Sequence, residues 1–100
     1  MKIEVETDLR VAREINKLSH VDQSKIREYI ELFKEYGFGL GSKYLKKVNK
    51  QVWELRPGKW RLFILKISPR QIIIHIMFKK SQKITKKTMK VLNQRTNEYL

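Results

Sequence analysis

The stretch Val52-Trp53-Glu54-Leu55-Arg56-Pro57-Gly58-Lys59-Trp60-Arg61-Leu62-Phe63, with Ile72-Ile73-Ile74-His75-Ile76-Met77-Phe78-Lys79-Lys80 after it, decides the fold. Each apolar segment is short, rich in β-branched and aromatic residues, and bounded by turn chemistry: Pro57-Gly58 after the first, Ser68-Pro69-Arg70-Gln71 before the third. Such runs read as strands, and connections this short join antiparallel neighbours, so a three-strand meander is expected. Proline cannot adopt the positive φ of a primed two-residue turn. A four-residue connection from Arg56 to Lys59 is therefore expected, which pairs Leu55 with Trp60 and sets Glu54 opposite Arg61. That cross-strand pair would neutralise a partly buried carboxylate and fix the guanidinium. On this register Trp53, Leu55 and Trp60 share the helix-packed face, and alternation puts His75 on the side of Ile73, Met77 and Lys79.

Toward the N-terminus, residues 1–6 alternate apolar and charged as a short strand with one wet face. Asp8 can cap a helix whose inward stripe is Val11, Ala12, Ile15 and Leu18. Ser19-His20-Val21-Asp22 reads as a tight connection, and Ile26, Tyr29, Ile30, Phe33 and Tyr36 then recur at helical spacing until Gly37 offers a left-handed stop. An antiparallel helical hairpin packed on the sheet is expected. Ser42 to Lys50 reads as a lysine-rich connection anchored by Tyr44, Leu45 and Val48. Beyond the strands, Ser81 to Thr85 reads as a polar hinge before a terminal helix with a sparse stripe of Met89, Leu92, Thr96 and Tyr99. The whole is one α+β domain over residues 1–100, with a small, mainly antiparallel sheet.

Charge divides the chain in two. Residues 1–42 carry seven Lys/Arg against eight Asp/Glu, whereas residues 43–100 carry sixteen against only Glu54 and Glu98. A net charge of +13 concentrated in one half is the electrostatic footprint of a nucleic-acid partner, or less often of an anionic membrane or an acidic protein. The terminal helix lacks the bulky aromatic face of a membrane-surface helix, and the apolar run Ile72 to Phe78 is too short to span a bilayer. The absence of cysteine removes disulfides, thiolate zinc sites and thiol nucleophiles. The N-terminus is no signal peptide, so a soluble cytoplasmic protein with no membrane role is expected.

The ordered set Glu35-Tyr36-Gly37, Lys43 and Leu45, Glu54-Leu55-Arg56, Trp60-Arg61-Leu62-Phe63, His75 to Lys80, Ser81-Gln82-Lys83 and Glu98-Tyr99-Leu100 resembles the HigB-like branch of the RelE/ParE toxin superfamily, which includes the phage-derived Gp49-like proteins. The resemblance spans roughly residues 3–100. It implies a compact RelE/ParE-like α+β fold, an endoribonuclease that cuts mRNA on the ribosome and so inhibits translation, and neutralisation by a helix-turn-helix, HigA-like antitoxin. Trp60 departs from the usual tyrosine, which takes away a hydroxyl at that position, and Ile84-Thr85 stands where many relatives have threonine-proline.

RNA cleavage by such a chain needs no metal or organic cofactor in the route its residues favour. A two-metal mechanism calls for clustered carboxylates, and the basic half has only Glu54 and Glu98. The ribose 2′-hydroxyl can instead attack its own phosphate, given a base, cations around the pentavalent phosphorus and an acid for the leaving oxygen. Arg61 and Arg56 suit the phosphate because guanidinium stays ionised and presents a planar fork. A lysine among cations can have its pKa lowered, which makes Lys79 and Lys80 acid–base candidates, with His75 as the alternative. Lys43, Lys46, Lys47, Lys59, Lys83, Lys86 and Lys87 are candidate RNA and ribosomal-RNA contacts.

Each assignment has a plainer counterpart. Arg61 could serve as the partner of Glu54, Arg56 as an exposed turn residue, the strand-end lysines as a guard against edge aggregation, and His75 as a hydrogen-bonded core residue. Trp53 and Trp60 invite base stacking, but the expected register assigns both to the core. Two further functions fit the charge: a ParE-like topoisomerase inhibitor without enzymatic activity, and a basic nucleic-acid-binding module without catalysis.

Overall fold

The computed structural model describes residues 2–79 and 83–100. Lys80 and the Ser81-Gln82 part of the expected hinge lie outside the described residues. In chain order the elements are β1 (Glu4–Thr7), α1 (Leu9–Asn16), α2 (His20–Tyr36), a 3-10 turn (Gly37–Gly39), β2 (Leu45–Lys47), β3 (Val52–Leu55), β4 (Trp60–Ile67), β5 (Arg70–Phe78) and α3 (Lys86–Tyr99). The strands form one sheet in the order β1-β5-β4-β3-β2. β1 runs parallel to β5 and every other pair is antiparallel, so the expected α+β architecture is the one observed.

Local chemistry sets the helix ends. Asp8 accepts a hydrogen bond from the Arg10 backbone N–H at 2.8 Å, and Ser19 Oγ accepts from Asp22 N at 3.2 Å, so each side chain satisfies an otherwise orphaned first-turn donor. α2 thus begins at His20, inside the segment expected to be a connection. Gly37 ends it with φ 61° and ψ −147°, turning into the mirror-image extended region rather than the left-handed helical one, a backbone open only to glycine. Among the described residues, no helix is long and apolar enough to cross a membrane.

The sheet separates two packed layers. On one face α1 and α2 set Val11, Ile26, Tyr29 and Phe33 against Leu45, Leu55, Leu62, Ile64, Ile73 and Ile76, with Trp53 and Trp60 packed at the margin as expected. On the other face α3 sets Leu92, Met89 and Tyr99 against Val52, Phe63, Leu65, Ile72 and Ile74. Tyr36, expected in the inward stripe, is 63% exposed.

Three details depart from the sequence reading. Leu45–Lys47, expected within a connection, forms the edge strand β2 against β3. Leu55 pairs with Leu62 and Glu54 with Phe63, so Glu54 does not face Arg61. The turn explains the shift: Trp60 N donates to Pro57 O at 3.0 Å, and Gly58 has φ 61°. Gly58-Lys59 is therefore a two-residue loop with glycine at its first position, and Pro57 precedes it instead of lying inside it. Finally, a bulge lies in the β4–β5 ladder where Phe63 pairs with His75 but Ile64 pairs with Ile73. Ile74 is the extra residue, and it shares the α3 face with His75 and Met77, while Ile73 faces α1 and α2.

Candidate nucleic-acid interface

The corrected register decides which side chains meet. Extending the Leu55–Leu62 pairing by one step sets Arg56 across from Arg61, both on the α3 face with Glu54 and Phe63. Cross-strand neighbours of like charge repel, so this geometry carries a cost that an anion would remove. Arg61 is only 7% exposed, and its Nη1 donates to the carbonyls of Gly58 at 2.9 Å and Trp60 at 2.7 Å. The backbone of the Gly58-Lys59 turn therefore holds the guanidinium. Burial, and then the charge of Arg56, lower the pKa of Arg61 from its ordinary value, so both effects disfavour its charged form.

Arg56 is partnered differently. Its Nε lies 3.4 Å from Glu54 Oε1, which gives Glu54 the ion pair expected with Arg61. Among the described residues this buried Nε has no hydrogen bond. Nη1 of Arg56 reaches the Ser42 carbonyl at 3.5 Å. On the next strand Lys46 stands opposite Glu54. Lys46, Lys47, Glu54 and Arg56 together with Val48 and α3-side residues Ile84 and Met89 line a groove of about 280 Å³. One carboxylate thus sits among several cations in a cleft half closed by the start of α3.

The remaining sequence candidates distribute around this end of the sheet. Lys79 follows β5, and its N–H donates to the Lys59 carbonyl at 2.7 Å, which ties the strand end to the Gly58-Lys59 turn. Lys59 is exposed in that turn, and Lys83, Lys86 and Lys87 are exposed around the start of α3. Lys43 sits on the α2 side, its Nζ 5.7 Å from the Tyr44 ring centroid, and Lys47 Nζ lies 5.8 Å from the Trp53 ring centroid. Lys80 lies outside the described residues.

His75 is placed elsewhere. It stacks on Phe63 at 5.9 Å between centroids and an interplanar angle of 27°, and Arg95 of α3 brings Nη1 within 3.4 Å of its Nδ1 while donating to the Ile74 carbonyl at 2.8 Å. Burial and then the Arg95 charge lower its pKa, which favours neutral imidazole. The bulge directs His75 beneath α3, and it does not line the Arg56 groove.

Glu54, Ile84 just before α3 and Met89 of α3 line the groove and are not among the site candidates of the sequence reading. Glu54 and Arg56, two positions apart on one strand, share a face by alternation alone. The far end of α3 is held by a separate network. Arg10 binds Asp8 Oδ2 at 2.8 Å and Glu98 Oε1 at 2.6 Å, and the Tyr99 hydroxyl donates to Asp8 Oδ2. The Arg10 hydrogen bond holds the Asp8 carboxyl well below the usual carboxylate range, against burial and with help from Tyr99. Among the described residues, no three His, Asp or Glu side chains gather as a metal site.

The sequence profile of the phage-derived Gp49-like proteins matches residues 13–97. A solved structure of a mutant E. coli toxin RelE in the free state has a similar fold, with a TM-score of 0.66 and 15% sequence identity over 100% of both chains. No curated protein sequence matches.

Proposed function

The chain belongs to the phage-derived Gp49-like family, a family of RelE/HigB-type toxins, and from that premise we propose that it is a ribosome-dependent mRNA endoribonuclease acting without a metal. The observation that carries the proposal is the Arg56–Arg61 pair: two guanidinium groups on adjacent strands, one held by turn carbonyls and one by Glu54, with no second carboxylate among the described residues that line the groove. A scissile phosphate supplies the missing negative charge, and Arg56 and Arg61 stabilise the extra charge of the pentavalent state. The 2′-oxygen attacks phosphorus, the bond from phosphorus to the 5′-oxygen breaks, and a cyclic phosphate and a free 5′-hydroxyl result. One proton leaves the 2′-hydroxyl and one reaches the 5′-oxygen.

Lys79 is the acid–base candidate tied by its backbone to the turn that holds Arg61, and Lys80 remains a candidate from sequence. Glu54 positions Arg56, and the half-buried place of His75 under α3, stacked on Phe63, supports a packing role for it. Lys43, Lys46, Lys47, Lys59, Lys83, Lys86 and Lys87 contact mRNA and ribosomal RNA, chiefly through phosphates. A cognate helix-turn-helix antitoxin of the HigA type holds the toxin inactive in the cytoplasm.

The test is primer extension on an mRNA in a reconstituted translation reaction, with wild type, Arg61→Ala and Arg61→Lys, each with and without ribosomes. New discrete 5′ ends that require both ribosomes and Arg61, and that lysine restores poorly, are expected. An intact message from a folded, RNA-binding wild type would reject the nuclease and favour topoisomerase inhibition or plain nucleic-acid binding.

A further inference from the structure

The cationic groove leaves one apolar surface at the same end of the sheet unexplained. Phe78, the last residue of β5, is 45% exposed. It pairs across strands with Trp60, and the two rings meet edge to face with centroids 5.2 Å apart and an interplanar angle of 80°. Trp60 itself is packed against the α1–α2 core. Phe78 is thus a large aromatic side chain fixed by a rigid neighbour on one side and open to water on the other. Held in place by Trp60, the open side of the ring offers a flat apolar face to a ligand.

The surroundings say which kind. Lys79 adjoins Phe78 in sequence and is bonded through its backbone to Lys59, and Arg61 adjoins Trp60. Lys25 of α2 lies against the same turn, its Cγ 4.0 Å from where a Cβ on Gly58 would stand. Lys25 approaches from the ring's own face and Arg61 lies across the strand end on the α3 face, so a polyanion with flat apolar faces that crosses this rim meets an apolar ring and cations in turn. Successive residues of a strand project to opposite faces, so Phe78 lies on one side of the strand end and Met77 on the other, across from Arg61. A chain crossing this rim can leave a phosphate among the arginines and lay the neighbouring base on the ring.

We propose that Phe78, backed by Trp60, is a stacking platform for an unpaired nucleobase of the RNA strand, one nucleotide from the phosphate held by Arg56 and Arg61. The inference rests on the proposed nuclease reading for the identity of that phosphate, but stacking itself requires no cleavage. Aromatic stacking tolerates any base, so the platform selects a base over an empty sugar and leaves base identity to other contacts.

The experiment measures binding of short single-stranded oligoribonucleotides with 2′-O-methyl riboses, which cannot be cut, at low ionic strength. A set with an abasic residue at each position in turn is compared on wild type, Phe78→Ala and Phe78→Trp, with thermal melting to confirm that each variant is folded. Phe78→Ala should weaken binding of the intact oligonucleotide by roughly fivefold to a hundredfold. One abasic position should weaken wild type by a similar factor and leave Phe78→Ala almost unaffected, and Phe78→Trp should restore the wild-type pattern. Equal losses from the abasic residue in wild type and Phe78→Ala would overturn the proposal. So would a wild type that binds no oligonucleotide, or a Phe78→Ala variant that binds RNA normally and fails only to bind its antitoxin, which would make the ring a protein-docking surface. If the abasic pattern holds while ribosome-dependent cleavage is absent, the nuclease reading fails and the stacking site stands.

Discussion

The two ends of α3 rest on the same face of the sheet and are held by opposite means. At its C-terminal end, Leu92, Thr96 and Tyr99 are packed inward, and Asp8, Arg10, Glu98 and Tyr99 close a compensated network of opposite charges. At its N-terminal end, Ile84 and Met89 border the groove, while Lys86 and Lys87 face solvent where the helix dipole disfavours positive charge. Lys46, Lys47 and Arg56 line the groove below, and Glu54 is the one carboxylate among the described residues that line it. One end satisfies its charges internally and contributes stability. The other leaves its charge uncompensated, and that excess is what an anionic partner can use.

The contrast can be broken most sharply at the open end. Arg61→Ala is expected to lower mRNA cleavage by about 10²–10³-fold, as loss of a donor aimed at developing negative charge does. Melting should shift by only a few degrees. A mutant that instead loses most of its thermal stability would place Arg61 with the structural groups. At the closed end the expectation is reversed: Leu92→Ala, at a fully buried site, should cost about 2–5 kcal/mol of folding free energy in urea titration. Its per-molecule cleavage rate in the folded fraction should stay near wild type.

Asp8→Asn should cost about 1–2 kcal/mol, because it removes the charge paired with Arg10 and the carboxylate oxygen that accepts from Tyr99. Its pH dependence gives the sign. The folded carboxyl titrates below its ordinary value of 3.8, so the stabilisation is complete above that value and is lost as pH falls through the lower folded one. His75 adds a second slope of the same direction. Its folded pKa lies below 6.5, so stability is full above pH 6.5 and declines as the solution acidifies. Melting curves from pH 8 down to pH 1 should therefore fall in two stages, the upper removed by His75→Gln and the lower by Asp8→Asn; an unchanged profile in both variants would dissociate these groups from stability. The smallest effect belongs to Glu98→Gln. Arg10 and Glu98 are 43% and 42% exposed, so the loss should stay under about 1 kcal/mol and vanish in high salt.

Periodicity and composition made most of the fold legible. The three strands of the meander, the capped helical hairpin and the sparse stripe of α3 follow from spacing alone, because burial of one face imposes that spacing. β2 did not, since Lys46 and Lys47 hide a three-residue edge strand whose apolar content is Leu45. The β3–β4 register turns on one proline: its dihedral preference reads as the turn itself, whereas Gly58 supplies the positive φ immediately after it. That single shift moved Glu54 from Arg61 to Arg56 and brought the two arginines together. His75 was misplaced relative to Ile73 because no local signal marks the bulge at Ile74. The Asp8 network joins residues 88 and 91 positions apart, a separation at which one sequence carries no pairing information.

That separation also bears on the order in which the chain assembles. The β3–β4 and β4–β5 hairpins are local and can form early, since closing a short loop costs little entropy. β1 has to find β5 in parallel across the whole helical hairpin, and Asp8, which follows β1 directly, can receive Tyr99 only afterwards. Folding should therefore be governed by this late, nonlocal closure, with the basic meander already formed while the acidic N-terminal segment is still searching for its place.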